Sequence, residues 1–379
     1  MFLLLLIIIL ITSLAYMLFI VIFTYGWYNN HYYLPNGQLP VTSVSVIIPL
    51  RNEEVNCETL FCFLANQDYP QELTEVIFVD DHSQDNTYQM LTKLITEKGK
   101  NNFKLIKCSD ENEQSFKKAA IENGIRISTG DFIITTDADC KAGEKWISSI
   151  VSFYEKYHPK LISAPVVFTK NKSVFKSLQS LEFMSLIASG AGSVEMGVPI
   201  MCNGANLAFE KEAYYHIGID NPDNKIISGD DVFLMLNVKK KYGRQAVTFL
   251  KCRDSIIQTP ARSTLKSFCQ QRIRWVSKSK NYRDTGIISV SLIVFLFNLL
   301  LVSALFTSVF FANGLKIYFA LLIFKLLIDL PILFGVSAFF HRKKELIFTL
   351  PLQLIYPFYI VIFAILGQFI SFEWKNRKF

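Results

Sequence analysis

Apolar positions along the chain follow two kinds of pattern. Residues 2–24 (FLLLLIIILITSLAYMLFIVIFT) carry no charge, and a run of that length crosses a hydrocarbon core of about 30 Å. Three more long apolar runs close the chain at about 286–312, 315–340 and 346–371. Between the first run and these, short β-branched stretches recur at 44–49 (VSVIIP), 76–79 (VIFV), 103–107 (FKLIK) and 132–135 (FIIT). Helix-length segments separate them at about 53–67, 86–98 and 115–128. Strand alternating with helix predicts an α/β domain built on a parallel sheet with covering helices. The expected organisation is an anchor at 1–26, a globular domain at 41–260, an interfacial segment at 261–285 and transmembrane helices over 286–372. No internal repeat or low-complexity tract is visible.

Composition agrees with a membrane protein, because 51% of residues are hydrophobic and 33 are Phe. A cleaved signal peptide would show a basic leading region and a small-residue cleavage site. Neither is present, so the first run is expected to stay as an anchor, with Tyr25, Trp27, Tyr28, Tyr32 and Tyr33 in the interfacial belt. The loop His341-Arg342-Lys343-Lys344 belongs on the cytosolic side by the positive-inside rule. Four spans from an outside amino terminus put this loop and 41–285 inside, as for an integral protein of the cell (inner) membrane with a cytosolic domain. They also put the basic tail Trp374-Lys375-Asn376-Arg377-Lys378 outside, so a re-entrant or interfacial run near the carboxy terminus stays open. Lys325 and Asp329 lie four apart on one helix face and can neutralise each other, as a functional pair or as a buried tie.

Charge and cysteine usage exclude several classes. The net charge is +7, and nothing in its distribution calls for nucleic acid. Between Arg262 and Arg283 there are seven basic residues and no acidic one, which suits a membrane surface. The seven Cys are odd in number and lack a CxxC pair, so neither a disulfide framework nor a zinc site is expected, and buried free thiols are. The five His show no metal-ligand spacing.

Parallel sheets bind ligands beyond the carboxyl ends of their strands. Three polar clusters fall at those ends: Pro49, Arg51, Asn52 and Glu53; Asp80, Asp81 and His82; Asp137 and Asp139. One acidic turn after a strand usually caps the next helix, whereas three at the same edge make a pocket. The chain lacks both GxGxxG and GxxxxGK(S/T), so a dinucleotide fold and a P-loop are disfavoured. Asp137 and Asp139, one residue apart, can share a hard divalent cation, Mg2+ or Mn2+, that keeps positions open for diphosphate oxygens.

The ordered motifs VSVIIPLRNEE, EVIFVDDHSQDNT, KKAAIENGI, GDFIITTDADC, CNGANLAFEKEA, SGDD and QRIRW cover about 43–280. Through them the chain resembles the membrane-type family-two glycosyltransferases, alongside cellulose, chitin, hyaluronan and poly-N-acetylglucosamine synthases and ceramide glucosyltransferases. The resemblance implies the GT-A fold. It implies Asp80 or Asp81 at the base and ribose of a nucleotide-sugar, Lys117 near its phosphates, and Asp137 and Asp139 at nucleotide and metal. Phe116 stands where the family usually has a glycine. The resemblance also implies Asp231 as general base, with Asp230, Asn203, Gly204 and Asn206 on the acceptor side. A helix cap at Ser228–Asp231 and a Gly-Asn turn at 204–206 are the plain structural alternatives. Gln271, Arg274 and Trp275 at i, i+3 and i+4 share a helix face. They suit an acceptor platform, with Arg274 neutralising the departing diphosphate.

The expected reaction is metal-dependent, inverting transfer of a hexose or N-acetylhexosamine, from a UDP-sugar in the first instance, to a membrane lipid or growing glycan, giving a β-glycoside. A processive polysaccharide synthase, with an accessory export subunit as partner, is the alternative within that class. Outside it stands a transporter with a regulatory soluble domain, against which the missing repeat counts.

Overall fold

The computed structural model describes residues 2–35, 37, 39–108, 117–218, 230–310, 313–370, 373–374 and 377–378. In chain order these form α1 (Phe2–Asn29), β1 (Val44–Leu50), α2 (Cys57–Ala65), β2 (Thr74–Asp80), α3 (Thr87–Lys98), β3 (Phe103–Lys107), α4 (Lys117–Ile127) and β4 (Phe132–Thr135). There follow α5 (Trp146–Tyr157), β5 (Leu161–Ser163), β6 (Val166–Phe168), α6 (Val174–Glu195), β7 (Leu207–Glu210), α7 (Lys211–Gly218), α8 (Asp230–Tyr242), β8 (Val247–Phe249) and β9 (Ile257–Thr259). Four helices come next: α9 (Leu265–Ser277), α10 (Thr285–Thr307), α11 (Gly314–Phe339) and α12 (Thr349–Phe369). Two compact units result, one from 31–169 and 201–260, the other from 1–30, 170–200 and 261–379.

The first unit is built on a seven-stranded sheet of order β3-β2-β1-β4-β7-β5-β8. Every residue of β2, and all but Pro49 in β1, is buried, the condition of parallel strands covered on both faces. From β1 the chain winds outward through β2 to β3, then returns by α4 to β4 on the other side of β1. The order therefore reverses at β1, the kind of switch point beyond whose strand ends open parallel sheets bind their ligands. Beyond β4 the sheet departs from the all-parallel expectation, because β7 runs antiparallel to both β4 and β5. At the opposite edge Glu75 ties four segments together. It accepts from Ser45 Oγ (2.5 Å), Lys104 Nζ (2.5 Å), Gly130 N (3.3 Å) and Thr129 N.

In the second unit four helices are long and apolar enough to cross a membrane: Ile7–Asn29, Thr285–Thr307, Gly314–Phe339 and Lys343–Phe369. Their outward residues include Leu292, Ile323, Leu327 and Ile362, as on spans that face lipid. Tyr16 stacks on Phe297 at 4.3 Å in a core shared with Leu301, Tyr318, Leu321 and Leu322. Lys325 and Asp329 meet at 2.5 Å, and two neighbouring helices complete the set. Tyr16 Oη donates to Asp329 (2.7 Å), Lys325 donates to Gln353 Oε1 (2.7 Å) and Gln353 Nε2 donates to Asp329 (2.8 Å).

Helix α6 also belongs here, although Ser177, Gln179, Ser180, Glu182 and Ser193 on it are polar and buried. Its backbone touches that of α1: a Cβ built on Gly26 would lie 2.2 Å from Gly192 O, and one on Gly192 would lie 2.0 Å from Phe23 O. Only glycine at both positions lets the two helices approach so closely. The seven cysteines form no disulfide; five are buried, while Cys62 is exposed and Cys269 partly so.

Candidate active site

The turn after β1 is locked to the turn after β2. Arg51 is buried and donates through Nη1 to Asp81 O (2.7 Å) and His82 O (3.2 Å). Asn52 N donates to Ser83 Oγ (3.0 Å), and Gln84 N donates to Asn52 Oδ1 (2.8 Å). Glu53 N donates to Thr87 Oγ1 (2.8 Å), while the Glu53 carboxylate takes a bond from Asn56 (2.6 Å). Pro49 lies in β1 beside Val79, one step before Leu50 pairs with Asp80. Asn52 (φ 51°) and His82 (φ 56°) both adopt left-handed backbone. Such conformations are costly outside glycine and gather where a site over-determines them.

This edge is acidic. Burial, followed by the charges of Asp85, Glu53, Glu54 and Asp80, pushes the Cys57 thiol up to about 11. Asp80 is 3% exposed, and its Oδ1 has no hydrogen-bond partner among the described residues. A buried carboxylate oxygen in that state calls for a donor beyond the described residues. Asp81 is buried too, with Oδ1 3.1 Å from His82 Nδ1.

Beyond β4 the chain turns at Asp137, where Cys140 N donates to Asp137 O (3.1 Å). Asp137 pairs with Lys117 at the start of α4. Asp139 Oδ1 lies 3.4 Å from Thr259 Oγ1 on β9, and Lys141 exchanges backbone bonds with Gln258. Burial, then the charges of Asp137 and Asp139, push the Cys140 thiol well above its usual range. Among the described residues no group of three His, Cys, Asp or Glu side chains is arranged to hold a metal. Two carboxylates on one turn still fit a hard cation of the magnesium type, which takes one or two protein carboxylates and completes its shell with phosphate oxygens and water.

Gly204 connects this turn to Asp231. Thr135 Oγ1 donates to Gly204 O (2.9 Å), and Gly204 N donates to Asp231 Oδ2 (3.0 Å). Asp231 Oδ1 accepts from Val232 N (2.9 Å), so the carboxylate is gripped from both sides at the start of α8. Asn203 Oδ1 accepts from Ala205 N (3.0 Å), the local turn that an Asn-Gly sequence favours. Asn206 is fully buried: it donates to Pro165 O and Ser255 O, both at 2.8 Å, and accepts from Trp146 Nε1 at 3.0 Å. Its amide is spent on holding the loops together.

Asp80, Asp81, Lys117, Asp137, Asp139, Asn203, Gly204 and Asp231 thus all belong to the sheet unit. Gln271, Arg274 and Trp275 belong to the helical unit, partly exposed on α9, whose amino end is capped by Thr264 Oγ1 accepting from Ser267 N (3.2 Å). Phe116, Ser228, Gly229 and the Asp230 side chain lie outside the described residues. Thr135 and Thr259 were not singled out from the sequence. Nothing local marks them, because each acts on a partner more than sixty residues away.

Comparison with known proteins adds family information. The sequence model of glycosyl transferase family 2 matches residues 45–218, and that of glycosyl transferase family group 2 matches 132–362. Glycosyltransferase AglE of Haloferax volcanii is 32% identical over 126 residues, which are 33% of this chain and 40% of that protein. A probable glycosyltransferase of Sulfolobus acidocaldarius is 26% identical over 260 residues, 66% of this chain and 52% of that protein. The matched stretches span about half or less of these curated relatives. The mannosyltransferase PcManGT from Pyrobaculum calidifontis, solved in complex with GDP-Man and Mn2+, superposes with a TM-score of 0.59 at 16% identity, covering 95% of this chain and 97% of that one. At that identity the likeness is one of fold.

Proposed function

The chain belongs to glycosyl transferase family group 2, and from that premise we propose that it moves a hexose or N-acetylhexosamine from a nucleotide-sugar to a lipid or glycan at a membrane, with inversion to a β-glycoside. The observation that carries the reading is the Thr135–Gly204–Asp231 link, which ties a doubly gripped carboxylate to the last residue of β4, two residues before Asp137.

Asp80 and Asp81 receive the base and ribose, and Asp80 Oδ1, which has no hydrogen-bond partner among the described residues, supports this, since it can accept from a ribose hydroxyl or a base N–H. Pro49, Asn52 and Glu53 line the same side. Lys117, beside Asp137, supplies a cation for the diphosphate. A divalent metal held by Asp137 and Asp139 supplies Lewis-acid stabilisation of the leaving diphosphate. Asp231 takes the proton from the acceptor hydroxyl as its oxygen attacks the anomeric carbon; the glycosidic bond forms as the bond to the diphosphate breaks. Gly204 N and Val232 N fix the direction in which that carboxylate points. Gln271, Trp275 and Arg274 act on acceptor and departing diphosphate. Donor supply places the reaction on the cytosolic side, which the basic 341–344 loop supports.

The test uses full-length protein in detergent with UDP- and GDP-sugars, Mg2+ or Mn2+, and free nucleotide as the readout. Asp231→Asn should lower turnover about a hundredfold to ten-thousandfold while nucleotide binding persists, and chelation should stop turnover. Release at the wild-type rate from that variant would move the base elsewhere. Product size then separates one transfer from polymer growth.

A further inference from the structure

Within the QRIRW motif, Arg272 faces away from its neighbours. It is 1% exposed, whereas Gln271, Arg274 and Trp275 are partly open. Its guanidinium bonds Glu182 of α6 through Nη2 and lies 4.0 Å from the ring centre of Trp275, one turn further along α9. Phe268, one turn earlier, is at 4.8 Å, and Tyr359 of α12 at 6.0 Å. Tyr359 Oη donates to the other Glu182 oxygen at 3.0 Å. Arg272 Nε and Nη1 find no hydrogen-bond acceptor among the described residues, so aromatic faces hold that part of the cation instead. The Trp275 indole also lies near Phe183, the residue after Glu182, with ring centres 6.1 Å apart. Gln179, one turn before Phe183 on α6, brackets the backbone of Arg262, donating to its O (3.0 Å) and accepting from its N (3.1 Å). Three helices thus converge on one buried ion pair whose cation lies over the ring of the motif's tryptophan.

We propose that Glu182, Arg272 and Tyr359 are positioning residues that set the plane of Trp275 and the face of α9 carrying Gln271 and Arg274. This rests on the sugar-transfer reading and deepens it: none of the three touches substrate, and each acts through α9. A lysine at 272 keeps the charge beside Glu182 and loses the planar stacking group, because an ammonium is a compact point donor. A glutamine at 182 keeps the shape and leaves the guanidinium charge uncompensated. A tie with only a structural duty would tolerate Arg272→Lys once the chain had folded, and a positioning role would not.

The experiment uses the full-length chain in its expressing membranes and in detergent. It follows incorporation of labelled sugar into membrane lipid and polymer from whichever UDP- or GDP-sugar the wild type consumes. Arg272→Lys and Glu182→Gln should lower kcat for incorporation about tenfold or more while donor KM stays within about twofold. Trp275 emission, isolated by subtracting a Trp275→Phe spectrum, should shift in both variants. Tyr359→Phe should act in the same direction and less. The positioning role is overturned if Arg272→Lys folds, transfers at the wild-type rate and leaves Trp275 emission unchanged. It is also overturned if activity, nucleotide binding and melting temperature fall together, the mark of a general structural tie. A wild-type chain that consumes no nucleotide-sugar fails before any variant is made, and that result removes the transfer reading and this role with it.

Discussion

Asp231 and Glu75 are both carboxylates held in part by donors from distant segments, and their surroundings suit them to opposite duties. Asp231 keeps two backbone amides and stays partly exposed, as suits the proposed general base, which must meet a hydroxyl. Glu75 is buried at the far edge of the sheet. Burial would raise its pKa, but bonds from Lys104, Ser45 and Thr129 overcome that and lower it from 4.5 to about 2. A carboxylate with a depressed pKa adds stability that is fully present above its unfolded value and is lost as pH falls through the folded one. Glu75 should therefore contribute on the order of 2–3 kcal/mol at neutral pH. Glu75→Gln should melt earlier than wild type at pH 7, and the gap should narrow as pH drops from about 4.5 towards 2. A gap that stays constant across that range would show that the charge on Glu75 carries none of it.

Helix α4 shows how an element delivers a side chain to the site. It starts at Lys117 and crosses β1 at Gly124, where an added Cβ would lie 2.5 Å from Ile47 Cγ2 and 3.3 Å from Val79 Cγ2. Both neighbours are fully buried and cannot yield without disturbing the sheet core. Gly124→Ala should cost about 1–3 kcal/mol by overpacking and lift Lys117 away from Asp137, weakening nucleotide binding. Gly143 has open space at the same test and serves as the control; alanine there should change stability by no more than about 0.5 kcal/mol. Denaturant melts and nucleotide titrations on the two variants distinguish a local clash from a general intolerance of glycine replacement.

For the whole molecule, membership of glycosyl transferase family group 2 supports the proposed transfer reading over a transporter built on the apolar helices. Those helices carry their own buried polar set, Tyr16, Lys325, Asp329 and Gln353, drawn from α1, α11 and α12. Each charge is matched and hydrogen-bonded, so the set fastens three helices in register. Lys325→Met alone strands the Asp329 carboxylate and should destabilise the protein by on the order of 3–5 kcal/mol. Lys325→Met with Asp329→Leu removes both charges and should recover most of that loss. Thermal unfolding in detergent measures both. Equal damage from the single and double variants would mean that the pair is more than a fastening.

Sequence alone determined the features that are local. The period and length of apolar runs specified β1 to β4 and the four long helices, and each carboxylate at a strand end inherited its place from the strand before it. Strands of three residues, such as β5, β6, β8 and β9, are too short to carry a period and passed unseen. Tertiary structure decided what depends on meetings between distant residues: the antiparallel insertion of β7 beside β4, the Gly204 bridge from Thr135 to Asp231, and the enrolment of polar α6 among the apolar helices. A backbone amide that must find a carboxylate 27 residues on, or a glycine pair that must meet across 166 residues, leaves no periodic trace in either segment. Such pairings are selected only when the packed chain satisfies its buried polar groups and close contacts all at once.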